Sequence, residues 1–126
     1  MTDVLMVIDS SEIVQGKLEA VRTAIGDLVS FVEENEPRAL AYSVYISDDE
    51  TRMTVTQIHP DSESMELHME VAASAFAGFK DLLTIRSMDV YGTPSPELLK
   101  RLEDKARMLG PASVCVHDRY AGFVRF

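Results

Sequence analysis

Two runs decide the fold: Leu40-Ala41-Tyr42-Ser43-Val44-Tyr45-Ile46 and Thr51-Arg52-Met53-Thr54-Val55-Thr56-Gln57-Ile58, joined by Ser47-Asp48-Asp49-Glu50. In the first, Leu40, Tyr42, Val44 and Ile46 alternate with Ala41, Ser43 and Tyr45, the period of a strand with one packed face. The second is rich in Thr and Val, whose branched side chains suit a pleated surface. Two such runs joined by a short polar turn predict an antiparallel hairpin.

Helical patterns flank the hairpin. Upstream, Val14, Leu18, Val21, Ile25, Leu28, Val29 and Val32 recur every three or four residues, with Glu19, Arg22, Asp27 and Glu33 outside the stripe. This spacing predicts a helix from about residues 15–17 that stops before Pro37, since an internal proline loses a hydrogen bond and clashes with the preceding turn. Downstream, Asp61 or Ser62 caps a second helix, and Glu63 and Glu66 suit the positive end of its dipole. Its pattern falters at Ala72-Ala73-Ser74 and resumes with Phe76, Phe79 and Leu83, predicting a kink or two short helices. Strands are predicted over 4–8 and 84–91. Ser95-Pro96 opens a third helical pattern, with Leu98, Leu99, Leu102, Ala106 and Leu109 as its stripe and Gly110-Pro111 as its stop. Residues 113–117 form a fifth strand, and 120–126 a further extended segment.

The order is β-α-β-β-α-β-α-β. Its first six elements match the ferredoxin-like split βαβ arrangement: an α+β fold, an antiparallel sheet with helices on one face. The other face needs a cover. A second copy of the same sheet is the most economical one, which predicts a homodimer.

The chain has 126 residues, enough for one domain spanning 1–126 with a core that needs no disulfide or metal. Twelve basic residues against 21 acidic ones give a net charge of −9. No basic stripe offsets it, so neither nucleic acid nor an anionic membrane is an expected partner. Cys115 is the single cysteine, which excludes an intrachain disulfide. The N-terminal run lacks a basic region, and no apolar run approaches the roughly 20 residues of a membrane span. The expected location is cytoplasmic.

Several stretches resemble the antibiotic biosynthesis monooxygenase superfamily of dimeric α/β barrels. They are Gly16-Lys17, Glu36-Pro37-Arg38 leading into Leu40–Tyr45, Gln57-Ile58-His59-Pro60-Asp61, and His68 followed by Phe76 and Phe79. The likeness covers roughly residues 4–90 and leaves 94–126, the extra helix and strand, as an elaboration. It implies a dimeric barrel and cofactor-independent oxygenase chemistry on a small aromatic, quinol or polyketide-type compound. Arg38 departs from the usual glycine, and His59 stands where many members have tryptophan. The chain has no tryptophan, and Lys80 occupies the position of the haem-degrading branch's histidine. Haem degradation is therefore not expected.

His68, one turn beyond Met65 and near Met69 and Ala72, is the candidate catalytic residue: an acid or base that can move protons near neutral pH, or simply a satisfied helix histidine. His59, Tyr42, Met65, Phe76 and Phe79 are candidate pocket residues, although the methionine and phenylalanines are better explained as core than as a substrate box. His59 is expected at an exposed strand end, His117 in a surface link with Asp118, and Cys115 buried and inert. Glu63, Glu66 and Glu70 read as a solvated helix face. The histidines lack short metal-ligand spacing, so no metal is expected, and the resemblance implies that no cofactor is used. Hydrolase, phosphate-loop and dinucleotide signatures are absent from the sequence. Two functions compete: the oxygenase, with a lyase as a weaker variant, and a non-catalytic dimer that binds a small molecule or a partner.

Overall fold

The computed structural model describes residues 4–126; residues 1–3, part of the N-terminal run, lie outside the described residues. Its elements are β1 (Leu5–Ile13), α1 (Leu18–Asn35), β2 (Ala41–Ile46), β3 (Arg52–His59), α2 (Ser62–Val71), α3 (Ala73–Ala77), β4 (Leu83–Tyr91), α4 (Pro96–Leu109) and β5 (Val114–His117). The sheet order is β2-β3-β1-β4-β5. The first four strands pair antiparallel in the ferredoxin-like order, and β5 adds a parallel edge beside β4. The fold is α+β as expected, with a mixed sheet.

Local chemistry sets the boundaries. Gly16, at a φ of 82°, takes the left-handed turn that delays α1 to Leu18. Asp61 caps α2 by accepting the Ser64 N–H at 2.9 Å, and Ser95 caps α4 by accepting that of Leu98 at 3.0 Å. The faltering pattern after Val71 resolves into two short helices hinged at Ala72. Gly110 ends α4 against β4, where a Cβ would collide with the backbone of Ile85.

β1 runs on to Ile13, past the predicted end at Ile8, because the polar stretch Asp9-Ser10-Ser11-Glu12 keeps pairing with both neighbours. A bulge between Ser10 and Ser11 skips Arg86 of β4. It changes which positions of β4 face inward, from Leu83 and Ile85 to Met88 and Val90. All four helices lie on one side of the sheet, enclosing a single core in which Val21, Met65, Val90, Leu98 and Leu102 are fully buried. Fully burying a leucine such as Leu102 contributes about 2–3 kcal/mol.

On the opposite face Met6, Ile8, Thr54, Thr56 and Ile58 are half-exposed and Tyr45 is exposed. Residues 118–126 carry no regular strand, correcting the expected extended element, and leave Tyr120, Phe123 and Phe126 exposed. Among the described residues no helix is long and apolar enough to cross a membrane.

Candidate active site

A polar seam runs through the core. On β1 the inward positions Leu5 and Val7 are followed by Asp9 and Ser11, and on β3 Met53 and Val55 by Gln57 and His59. All four polar side chains are buried. The helices supply their counterparts: Glu36 from the end of α1, Ser64 and His68 from α2, and Lys105 from α4.

His68 sits at the centre of the seam. Its Nδ1 lies 3.0 and 2.9 Å from the two carboxylate oxygens of Glu36, and both side chains are essentially excluded from solvent. A carboxylate only accepts, so Nδ1 carries the proton and the neutral ring presents a lone pair at Nε2. That Nε2 is buried and has no hydrogen-bond partner among the described residues. Burial pushes the imidazole pKa below its ordinary value and outweighs the opposing pull of Glu36, so the ring is held neutral at pH 7.

His59 is fully buried, which corrects the expectation of an exposed strand end. Its Nδ1 accepts from the Ser64 hydroxyl at 2.8 Å, and its Nε2–H donates to Gln57 Oε1 at 3.0 Å. Burial, together with neighbouring His68, lowers its pKa to about 4. Both ring nitrogens are occupied, so His59 is a neutral structural strut rather than a free base.

A cavity of about 30 Å³, room for one or two waters, lies between the sheet and the helices. Asp9, Ser11, Tyr42 and Lys105 give it polar walls, and Phe76 and Phe79 are among its apolar ones. Burial pushes the Asp9 carboxyl pKa up against the attraction of Lys105, whose Nζ is 4.0 Å from Oδ2 and 4.2 Å above the Phe76 ring. The Tyr42 hydroxyl pKa is also raised, first by burial and then by Asp9 and Glu36, so it stays a neutral phenol. Tyr42 and Phe76 pack on the His68 ring, with centroids 5.4 and 5.7 Å away. Tyr42 also walls a cleft of about 270 Å³ between α1 and β2 that includes Glu36 and opens to the surface. It thus borders both the cleft and the cavity.

Tyr42, Phe76 and Phe79 therefore meet at the cavity, and His68 lies behind two of them. Met65 is sealed in the core and His59 is tied to its own partners, so neither lines the cavity. Glu36, Asp9 and Lys105 were missed by sequence reasoning. Asp9 had a legible signal, since it continues the inward alternation of Leu5 and Val7. Glu36 and Lys105 had none, because the fold brings them in from distant helices. Two other expectations are corrected: His117 pairs with Asp89 rather than Asp118, and Cys115 is exposed.

No protein-family model matches the sequence, and no curated protein is found to match it. Solved structures do. MupZ from Pseudomonas fluorescens is similar at 19% identity with a TM-score of 0.75, over 99% of this chain and 91% of that one. SnoaB from Streptomyces nogalater, a cofactor-independent oxygenase, is similar at 9% identity with a TM-score of 0.61, over 74% of this chain and 95% of that one. A Deinococcus radiodurans protein provisionally described as an antibiotic biosynthesis monooxygenase gives 14% identity and a TM-score of 0.61, over 72% of this chain and 93% of that one. The chain has the antibiotic biosynthesis monooxygenase fold. Of these three, MupZ alone is matched across nearly the whole length, α4 and β5 included.

Proposed function

We propose that the protein is a cofactor-independent monooxygenase-like enzyme in which His68 is the general base for a small aromatic, quinol or polyketide-type substrate. The observation that carries this reading is the buried, unpartnered Nε2 of a ring whose Nδ1–H is anchored on Glu36. Burying a polar nitrogen without a partner costs roughly 1–3 kcal/mol, which a substrate hydroxyl or acidic C–H placed there would offset. Nε2 takes the proton, and Glu36 steadies the imidazolium that forms. The electron-rich anion then gives its electrons to dioxygen. A methylene carbon becomes a carbonyl, one oxygen atom is retained, and the other leaves as water with both hydrogens. The substrate is the sole reductant, so the balance needs no cofactor.

Entry is through the cleft between α1 and β2, with Tyr42 swinging aside or donating its phenol to the bound molecule. The half-exposed sheet face supports a homodimer that closes a barrel over Met6, Ile8 and Ile58. Sedimentation as a monomer at micromolar concentration would remove that part of the proposal.

The second reading is a non-catalytic dimer of the same fold that binds a small molecule. The absence of tryptophan, which many members of the resembled superfamily carry where this chain has His59, favours it. Oxygen uptake with quinols, anthrones and polyphenols separates the two. The enzyme reading expects turnover that falls at least hundredfold in His68→Ala; turnover unchanged by that substitution removes His68 as the base. Saturable binding of the same compounds without oxygen uptake would establish the second reading.

A further inference from the structure

We propose that Asp89, Cys115 and His117 form a binding site for a zinc(II) ion on the sheet face opposite the helices. The site is independent of the His68 reading. Cys115 and His117 are two apart on β5, so their side chains leave the sheet on the same face. The parallel register sets Cys115 beside Asp89 and His117 beside Tyr91 of β4. Met88 and Val90 are buried toward the helices, so Asp89 and Tyr91 point the other way, to the face that Cys115 and His117 share. One ligand atom from each of the three lies within 4.8 Å of the other two.

The imidazole is already oriented. His117 Nε2 is 2.9 Å from Asp89 Oδ1, and its ring stacks on Tyr91 at 4.6 Å between centroids, only 13° from parallel. A thiolate, an imidazole and a carboxylate are the donor set of a borderline-soft divalent ion, and zinc takes all three. Tetrahedral zinc with these ligands needs donor separations of roughly 3–3.6 Å, which side-chain rotation of the exposed Cys115 can reach. On binding, the proton of the Cys115 thiol is released to solvent, and His117 coordinates through Nε2 as a neutral ring with its proton on Nδ1.

Three protein ligands leave the fourth position to water or an outside ligand. His117 and Tyr91 also wall a cleft of about 280 Å³ that reaches Arg119, Val124 and Phe126 on one side and Met6 and Ile58, part of the face the proposed homodimer covers, on the other. Histidine spacing along the chain passes over the site, because the carboxylate lies 28 residues before His117 and only the sheet brings it near.

The test is a cobalt(II) titration of the full chain, followed by zinc competition and calorimetry. One ion per chain is expected, with a thiolate-to-cobalt charge-transfer band in the near ultraviolet and tetrahedral d–d bands that zinc abolishes. Cys115→Ser and His117→Ala should each weaken zinc binding at least tenfold, with far-ultraviolet dichroism reporting the fold. Cys115 is the chain's single cysteine, so a thiol reagent reads the same site in the unmodified protein. Zinc should slow its reaction at least tenfold. Cobalt binding without a thiolate band, zinc affinity unchanged in Cys115→Ser, or thiol reactivity indifferent to zinc would each overturn the proposal.

Discussion

Glu36, which closes α1, and His68, on α2, meet in the core, the Nδ1–H of the imidazole donating to both carboxylate oxygens at 2.9 and 3.0 Å. Removing one partner strands the other. Glu36→Ala leaves a buried ring N–H with no acceptor and should cost about 2–3 kcal/mol in chemical denaturation. Glu36→Gln keeps an acceptor oxygen and should cost less, about 1 kcal/mol. If the two variants lose equal stability, the hydrogen bond is not what holds the pair.

His59 makes the stability of the protein sensitive to mild acid. Its folded pKa of about 4 lies below the ordinary histidine value of 6.5, so below pH 6.5 the unfolded chain binds the extra proton and the folded one resists it. The contribution is complete above pH 6.5 and is lost as pH falls toward 4, on the order of 3 kcal/mol in all. His68, also depressed, acts in the same direction, while Asp9, raised by burial, acts in the opposite one. Ser64, Gln57, Asp61 and Arg38 complete the surroundings of His59. Thermal unfolding midpoints measured from pH 7 to 4 should fall less steeply in His59→Gln than in the parent; parallel curves would contradict this assignment.

Tyr42 borders both the cleft between α1 and β2 and the cavity beneath the helices, so shortening its side chain is expected to join them. Tyr42→Ala should merge them and raise binding of an apolar fluorescent probe several-fold. Tyr42→Phe retains the ring and should leave probe binding near the parent level. Equal probe binding in Tyr42→Ala and the parent would show that something other than this ring closes the passage.

Gly110 is needed for space rather than for its backbone angle, since its φ of 167° is open to any residue. A Cβ there would meet the carbonyl and amide of Ile85. Gly110→Ala should therefore destabilise by about 1–3 kcal/mol, the scale of overpacking. A variant as stable as the parent would mean that the α4–β4 contact yields easily.

Much of the fold was legible in the chain. The hairpin from Leu40 to Ile58, the stop at Pro37, the Ser95-Pro96 start and the break at Ala72 are local signals, and each is where the sequence puts it. The end of β1 was not, because the apolar run stops at Ile8 and the polar stretch from Asp9 to Glu12 is held in the strand by the partners that pair on either side. The bulge opposite Ser10 is invisible for a similar reason: it shows only as a change of inward positions along β4. At the site, His68 could be picked out by residue type and by its place on the helix. Its partner Glu36 could not, since 32 residues separate them and the intervening hairpin determines whether they meet. His59 was misread because a histidine before a proline at a strand end looks solvated until α2 folds over it.

Lys105 reaches from α4 to the buried carboxyl of Asp9, and the same helix buries Leu98, Leu102, Ala106 and Leu109. A chain cut after Tyr91 would thus not relax into a smaller version of the same domain. It would expose an apolar stripe and strand an acid in the core without its cation. Position 9 and position 105 form one exchangeable unit: a chimaera that takes β1 from a protein lacking α4 must bring an apolar residue at position 9, and one that keeps Asp9 must keep the helix.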